Sequence, residues 1–273
     1  MRDSAALLAD LRRIAAGPGA GAGGMAAPVP VAEDAWLAQG LARGQLHEIY
    51  AGEAGDSAAA TGFSVALALA AGALPLLWIR TEGAERQAGR MLAGGLAELG
   101  LSPAAVMLVV TADEPALLRT AADAARCPGL GTVLVETWGR APGLDLTATR
   151  RLMLGAEASG VTVLSVRLGA APVPSAAASR WCVAAAESTA LSAGAPGGPA
   201  FDIECLRRRG GPAGARGRVE WNRDARCFVP PIREGEDAPQ RIGTVAPLSG
   251  AGLSLAVDRT VAQRPAAPVR RAG

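Results

Sequence analysis

Between residues 36 and 168 apolar runs alternate with segments of helical spacing. Residues 36–50 enter this pattern, with Leu46, Ile49 and Tyr50 approaching a strand end. A small-residue loop at 51–57 leads into an Ala-rich helix over 58–72, then a buried strand over 74–79. Ala88, Met91, Leu92, Leu96 and Leu99 predict one helix over 84–99, ended by Gly100. A strand over 106–110 follows. Pro115 opens a helix carrying Leu118, Ala121, Ala122 and Ala125, because proline is tolerated in a first helical turn. A strand over 132–137, a helix over 147–159 stopped at Gly160 and a strand over 161–168 complete the series. Apolar strands separated by helices predict a doubly wound, mostly parallel α/β sheet covered on both faces.

After residue 180 strands follow one another without helices, at 181–186, 201–206 and 218–229, with a hairpin turn at 222–225. They predict antiparallel strands added to one edge, and a core domain of 36–230. Outside it, 1–16 reads as an amphipathic helix presenting Leu7, Leu8, Leu11 and Ile14. Residues 17–35 read as a flexible linker. Residues 231–273 read as a disordered tail with a small apolar island, LSLAV, at 253–257.

Composition narrows the chemistry. Of 273 residues 50% are hydrophobic but only 3% aromatic, so the core is aliphatic. The net charge of +2 argues for no polyanionic partner by itself. All 27 basic residues are arginine, which excludes a Schiff base, a Ser-Lys dyad and a phosphate-binding lysine. Cys127, Cys182, Cys205 and Cys227 form no C-x-x-C pair, and His47 is the single histidine. Free thiols are expected, with no zinc site and no disulfide framework. His47 reads as structural, with no partner for base catalysis in view. The N-terminus lacks a signal-peptide pattern. The apolar run 63–79 contains Gly72 and Pro75 and is short for a membrane span. A cytoplasmic protein with no membrane partner is expected.

The loop 51–57 lies where open α/β sheets bind nucleotides. A working phosphate loop reads G-x-x-x-x-G-K-[ST]. Counted from Gly52, Ser57 replaces the second glycine, Ala58 the lysine and Ala59 the hydroxyl residue. Counted from Ala51, Asp56 replaces the glycine, Ser57 the lysine and Ala58 the hydroxyl residue. Both registers lack the cation, and the second adds a carboxylate. At an effective dielectric near 20, a charge 4 Å away is worth about 4 kcal/mol. Triphosphate binding should therefore be severely weakened.

The segment Glu48-Ile49-Tyr50 before this loop resembles the start of the RecA ATPase core. Ile79-Arg80-Thr81-Glu82 is similar to the strand end bearing that family's water-activating glutamate, with Glu82 on its position. Val133-Leu134-Val135-Glu136-Thr137 resembles the Mg²⁺-side strand, with Glu136 in place of an aspartate. A RecA-like core with a degenerate phosphate loop and an Arg-rich C-terminal hairpin resembles the ImuA family of damage-induced mutagenesis. The resemblance spans about residues 36–230. It implies a non-enzymatic adaptor in error-prone translesion synthesis, acting with an ImuB-type Y-family relative and a DnaE-type polymerase. Gly52, Gly55, Asp56 and Ser57 would then be a vestigial loop, and Glu82 and Glu136 vestigial carboxylates. No catalytic residue, cofactor or metal is expected. The alternatives are a nucleotide-dependent switch holding its ligand on the amides of 51–57, and an inhibitor capping RecA or another filament-forming relative. The short segment 169–180, with Arg180 its single charge, argues against RecA's own mode of DNA binding.

The strongest local charge is the run Arg207, Arg208, Arg209, Arg216, Arg218, Arg223 and Arg226, set against Glu220 and Asp224. This local excess of +5 marks a candidate contact for nucleic acid or an acidic partner. Trp221 and Phe228 stand nearby to stack on bases. The plainer reading is a charged edge that discourages strand-to-strand aggregation.

Overall fold

A computed structural model describes residues 41–191, 193, 195–210 and 213–231. The helix expected over 1–16, the linker over 17–35 and the tail from 232 on, with its apolar island, lie outside the described residues. The described residues belong to one compact unit.

The elements run β1 (Leu46–Ala51), α1 (Ser57–Ala70), β2 (Leu76–Thr81), α2 (Glu82–Ala88), α3 (Ala93–Glu98), β3 (Val106–Thr111), α4 (Glu114–Ala124), β4 (Thr132–Trp138), α5 (Leu146–Ser159), β5 (Thr162–Leu168), β6 (Ser179–Ala186), β7 (Ala200–Arg208), β8 (Arg216–Asn222) and β9 (Cys227–Val229). The nine strands form one sheet in the order β3-β2-β4-β5-β1-β6-β7-β8-β9. Pairing is parallel from β3 through β6 and antiparallel from β6 to β9. The expected doubly wound, mostly parallel α/β sheet with antiparallel C-terminal edge strands is thus present.

Three expectations need correction. The helix over 84–99 is two short helices, because Gly89 at φ 80° breaks the first. The apolar spacing runs through that break, so periodicity alone did not reveal it. The strand at 181–186 belongs to the parallel set: β6 runs with β1, and the direction reverses only at β7. Nor is every parallel strand covered on both faces, since β3 is an edge strand with Leu108 and Val110 partly exposed.

Helix boundaries follow local chemistry. The hydroxyl of Thr81 accepts from Ala84 N, and the carboxylates of Asp113 and Asp145 accept from Ala116 N and Ala148 N, capping α2, α4 and α5. Gly160, left-handed at φ 79°, ends α5. Successive strand residues face opposite layers. On one side Leu46, Val133 and Val163 pack under α4 and α5. On the other, Ile49, Leu134 and Leu164 pack under α1. The β7–β9 meander curls over α1 as well: Phe63 meets Phe201 and Phe228 at ring distances of 5.5 and 5.1 Å. Trp221 Nε1 donates to Leu99 O just past α3 at 2.9 Å. Enclosed in this way, α1 is apolar around most of its circumference, with Ala60 and every residue from Phe63 to Leu69 buried. The apolar run 63–79 is therefore this helix, a turn and β2. Among the described residues, no helix is long and apolar enough to cross a membrane.

Candidate functional site at the carboxyl edge of the sheet

The loop between β1 and α1 is a tight turn closed on itself. Ala54–Asp56 form a single 3₁₀ turn, and Gly52 N donates to Val183 O on β6 at 2.9 Å. Asp56 occupies the N-cap position of α1, yet its carboxylate does not cap that helix. It folds back instead. Oδ2 accepts from Glu53 N at 2.9 Å, and Oδ1 accepts from Ala185 N of β6, also at 2.9 Å. Ser57 Oγ donates to Ala54 O at 2.6 Å, so its hydroxyl is engaged by the same turn. A Cβ at Gly52 would lie 3.0 Å from Asp56 Oδ2, so glycine makes room for this fold-back. Gly55 has open space around it. In a phosphate loop backbone amides converge on a bound anion; here the amides of Glu53 and Ala185 converge on the chain's own carboxylate.

The two carboxylates singled out by resemblance lie in unlike places. Glu82 opens α2 on the surface and stands 3.7 Å from Arg86. Glu136 on β4 is buried, accepts from Trp78 Nε1 at 2.8 Å and faces Arg80 Nη2 at 3.1 Å. Burial pushes its carboxyl above the ordinary range, opposed by Arg80 and the indole hydrogen bond and aided by Glu85. Arg80 is also buried and donates to Ala84 O, so this pair fastens α2 over β2 and β4. The sequence marked Glu136 but gave no sign that Arg80 neutralises it. Among the described residues, no group of His, Cys, Asp or Glu is arranged to hold a metal ion.

A second polar cluster lies on the opposite face, and sequence reasoning missed it. Glu48 on β1 is buried and its Oε2 accepts from Arg180 Nε and from Ser175 Oγ, each at 2.8 Å. Arg167 and Arg180 both stand over the Tyr50 ring, 5.8 and 5.6 Å from its centroid. The register explains the gathering: β1 lies between β5 and β6, which pairs Glu48 with Arg180 and Tyr50 with Arg167. The signal available was a lone charge in each of three apolar strands, Glu48 in β1, Arg167 in β5 and Arg180 in β6. Ser175 O accepts from Arg207 Nη1 at 3.0 Å, so the short segment 169–178 is strapped down from both sides.

His47 faces the α1 layer. Its ring contacts Ser179 Oγ at 2.7 Å and Ala42 O at 2.9 Å. Burial holds its pKa below the ordinary 6.5, against the opposing pull of the Ala42 carbonyl. The unfolded chain therefore takes up a proton first as pH falls through 6.5, so stability is lost on acidification. The expected slope approaches about 1.4 kcal/mol per pH unit below 6.5. Glu136, raised by burial, acts with the opposite sign above its unfolded value of 4.5, where stability falls as pH rises. Urea unfolding at intervals between pH 5 and 7 separates the two. His47→Gln should remove the acid-side loss, and an unchanged slope in that variant would refute the assignment.

The seven arginines do not form one free cationic patch. Arg218 pairs with Asp202 and Arg216 with Glu204 across the β7–β8 ladder, at 2.8 and 2.9 Å. Hydrogen bonding from Arg218 holds the Asp202 carboxyl below its usual range. Arg223 stands 3.5 Å from Glu98, Arg209 lies 3.9 Å from Glu157, and Arg207 is tied to a carbonyl. Arg208 lies towards the end of β7, and Arg226 sits exposed in the hairpin turn at φ 50°. The local excess of charge counted along the sequence is thus offset by carboxylates from outside the counted window. Trp221 and Phe228 are buried in the core rather than presented for stacking.

No protein-family model matches the chain, and no curated protein matches it. Among solved structures it is similar to one titled "Crystal structure of the RadB recombinase". The identity is 14%, the match covers 70% of this chain and 92% of that one, and the TM-score is 0.47.

Proposed function

We propose that this chain is a non-enzymatic accessory protein of error-prone translesion DNA synthesis in the DNA-damage response. It would act with an ImuB-type Y-family relative and a DnaE-type polymerase, on a RecA-like scaffold of the ImuA kind. The observation that carries the non-enzymatic part is the Asp56 carboxylate, which accepts from Glu53 N and Ala185 N at the phosphate-loop position. A triphosphate entering there would meet a negative charge, no lysine and a hydroxyl already donating to Ala54 O. The pairing of Glu136 with Arg80 supports the same reading, because that carboxylate already has a cation. The process and its partners come from the resemblance of the Glu48-Ile49-Tyr50 segment and the strand ends to the ImuA family.

The arginines of β7–β9 remain available to such partners. Exposed ion pairs contribute only about 0–1 kcal/mol, so a phosphate or an acidic protein surface can compete for Arg216 and Arg218.

Two measurements test the proposal. Phosphate release with ATP and single-stranded DNA should stay at background, and turnover that Glu82→Gln abolishes would overturn it. Size-exclusion chromatography with a purified ImuB-type protein and a DnaE-type polymerase should give a complex containing this chain. Elution of the chain alone with either partner would count against the adaptor role.

A further inference from the structure

We propose that the outer face of α4 and α5 docks an acidic amphipathic segment of a partner protein. This rests on the adaptor reading and assigns it a surface. Among the described residues, the arginines free of ion pairs include four on this face. Arg119 and Arg126 lie on α4 and just beyond its end, and Arg150 and Arg151 lie on α5. All four are exposed, and Arg126 does no more than donate to Ala122 O of its own helix. This is the reverse of the charge picture drawn from sequence, where the Arg-dense hairpin stood out.

The same face carries exposed apolar side chains. Leu146 and Leu154 are 55% and 56% exposed. With Arg150 between them and Ala158 beyond, they follow one another at four-residue intervals along the solvent side of α5. A single exposed leucine needs no explanation, but here two share a stripe beside a groove. That groove, of about 310 Å³, is lined by Arg126, Pro128, Leu154, Gly155, Ala158 and Ser159. It is shaped by Gly155, where a Cβ would come within 3.2 Å of Ala125 Cβ. The helices can therefore approach closely below the groove, while Leu154 and Arg126 stand at its rim. Ser159, also in the lining, ties the end of α5 to the end of α4, its Oγ donating to Ala125 O at 2.6 Å.

Charge complementarity selects the occupant. Arginine pairs with carboxylates through a planar fork, and its stem covers apolar surface. Asp113 and Asp145 are engaged as helix caps and Glu114 accepts from Gly143 N and Leu144 N, all at the N-terminal ends of the two helices. Further along, the carboxylates are Asp123 and Glu157, and Glu157 lies 3.9 Å from Arg209. A segment with an apolar side chain for the groove and flanking carboxylates for Arg126, Arg150 and Arg151 satisfies both features. A nucleic-acid backbone would use the arginines and leave the leucines unburied. The chain's own apolar segment at 1–16 carries Arg2, Arg12 and Arg13 against Asp3 and Asp10, the wrong sign for this face.

The probe is a fluorescein-labelled helical peptide with leucine on one face and glutamate elsewhere. Its controls are the same peptide with every glutamate changed to lysine, and a labelled oligothymidylate. Anisotropy titrations use the full chain, Leu154→Ser and the double variant Arg126→Glu/Arg151→Glu, each checked for an unchanged melting temperature. Binding of the glutamate peptide alone is expected, weakened about tenfold or more in both variants and weakened by salt. Equal binding of the lysine peptide, no binding of the glutamate peptide, or binding indifferent to both variants overturns the proposal. Preferential binding of the oligonucleotide, lost in the arginine variant and kept in Leu154→Ser, also overturns it, in favour of a nucleic-acid face. Neither nucleotide turnover nor polymerase assembly enters this readout, so its failure leaves the adaptor reading to its own tests.

Discussion

Arg80→Ala is expected to destabilise the fold by about 3–5 kcal/mol, because it leaves a buried carboxylate without its cation. Arg80 and Glu136 are 2% and 1% exposed, and Trp78 Nε1 is the hydrogen-bond donor that would remain on Glu136. The urea midpoint should fall with little change in m-value. The deficit should shrink on acidification. Burial already raises the Glu136 carboxyl, and loss of Arg80 removes the main influence lowering it, so the group is raised further in the variant and protonation relieves the uncompensated charge. Arg80→Met combined with Glu136→Leu should recover most of the loss, since well-packed apolar replacements of a buried pair are often neutral. A loss below about 1 kcal/mol in Arg80→Ala would mean that solvent reaches the pair.

Phe63→Ala should cost about 3–5 kcal/mol as well, with a different signature. Phe63 is where α1 meets the antiparallel meander: its ring touches Phe201 and Phe228, and Phe228 in turn stands 5.1 Å from Trp221. Deleting it removes the one ring that α1 contributes to this cluster. Amide exchange should accelerate first in β8 and β9, while β4 and β5, paired on both edges, keep their protection. Uniform acceleration across the sheet would show that the meander and the parallel sheet open together.

Much of the frame was legible because its causes are local. The apolar runs, the helix opened at Pro115 and the stops at Gly100 and Gly160 follow from side-chain spacing and backbone freedom. What escaped the sequence was set by partners distant along the chain. Asp56 and Ala185 are 129 positions apart, and Glu48 and Arg180 are 132 apart. The loop's missing lysine could be read directly, but the bond that closes the loop could not. The arginine run misled for the same reason. Asp202 and Glu204 face Arg218 and Arg216 only through antiparallel register, which no count within a window includes. The break at Gly89 escaped because the helical spacing resumes after it.

The encasement of α1 limits what the loop before it can communicate. From Phe63 to Leu69 α1 is buried between the sheet on one side and the meander and the α3 segment on the other, whereas Ala58, Ala59 and Gly62 in its first turns line an open cavity. A molecule pressing on Asp56 would be felt sideways, through Ala185 into β6 and the strands beyond, so the message would travel across the width of the sheet.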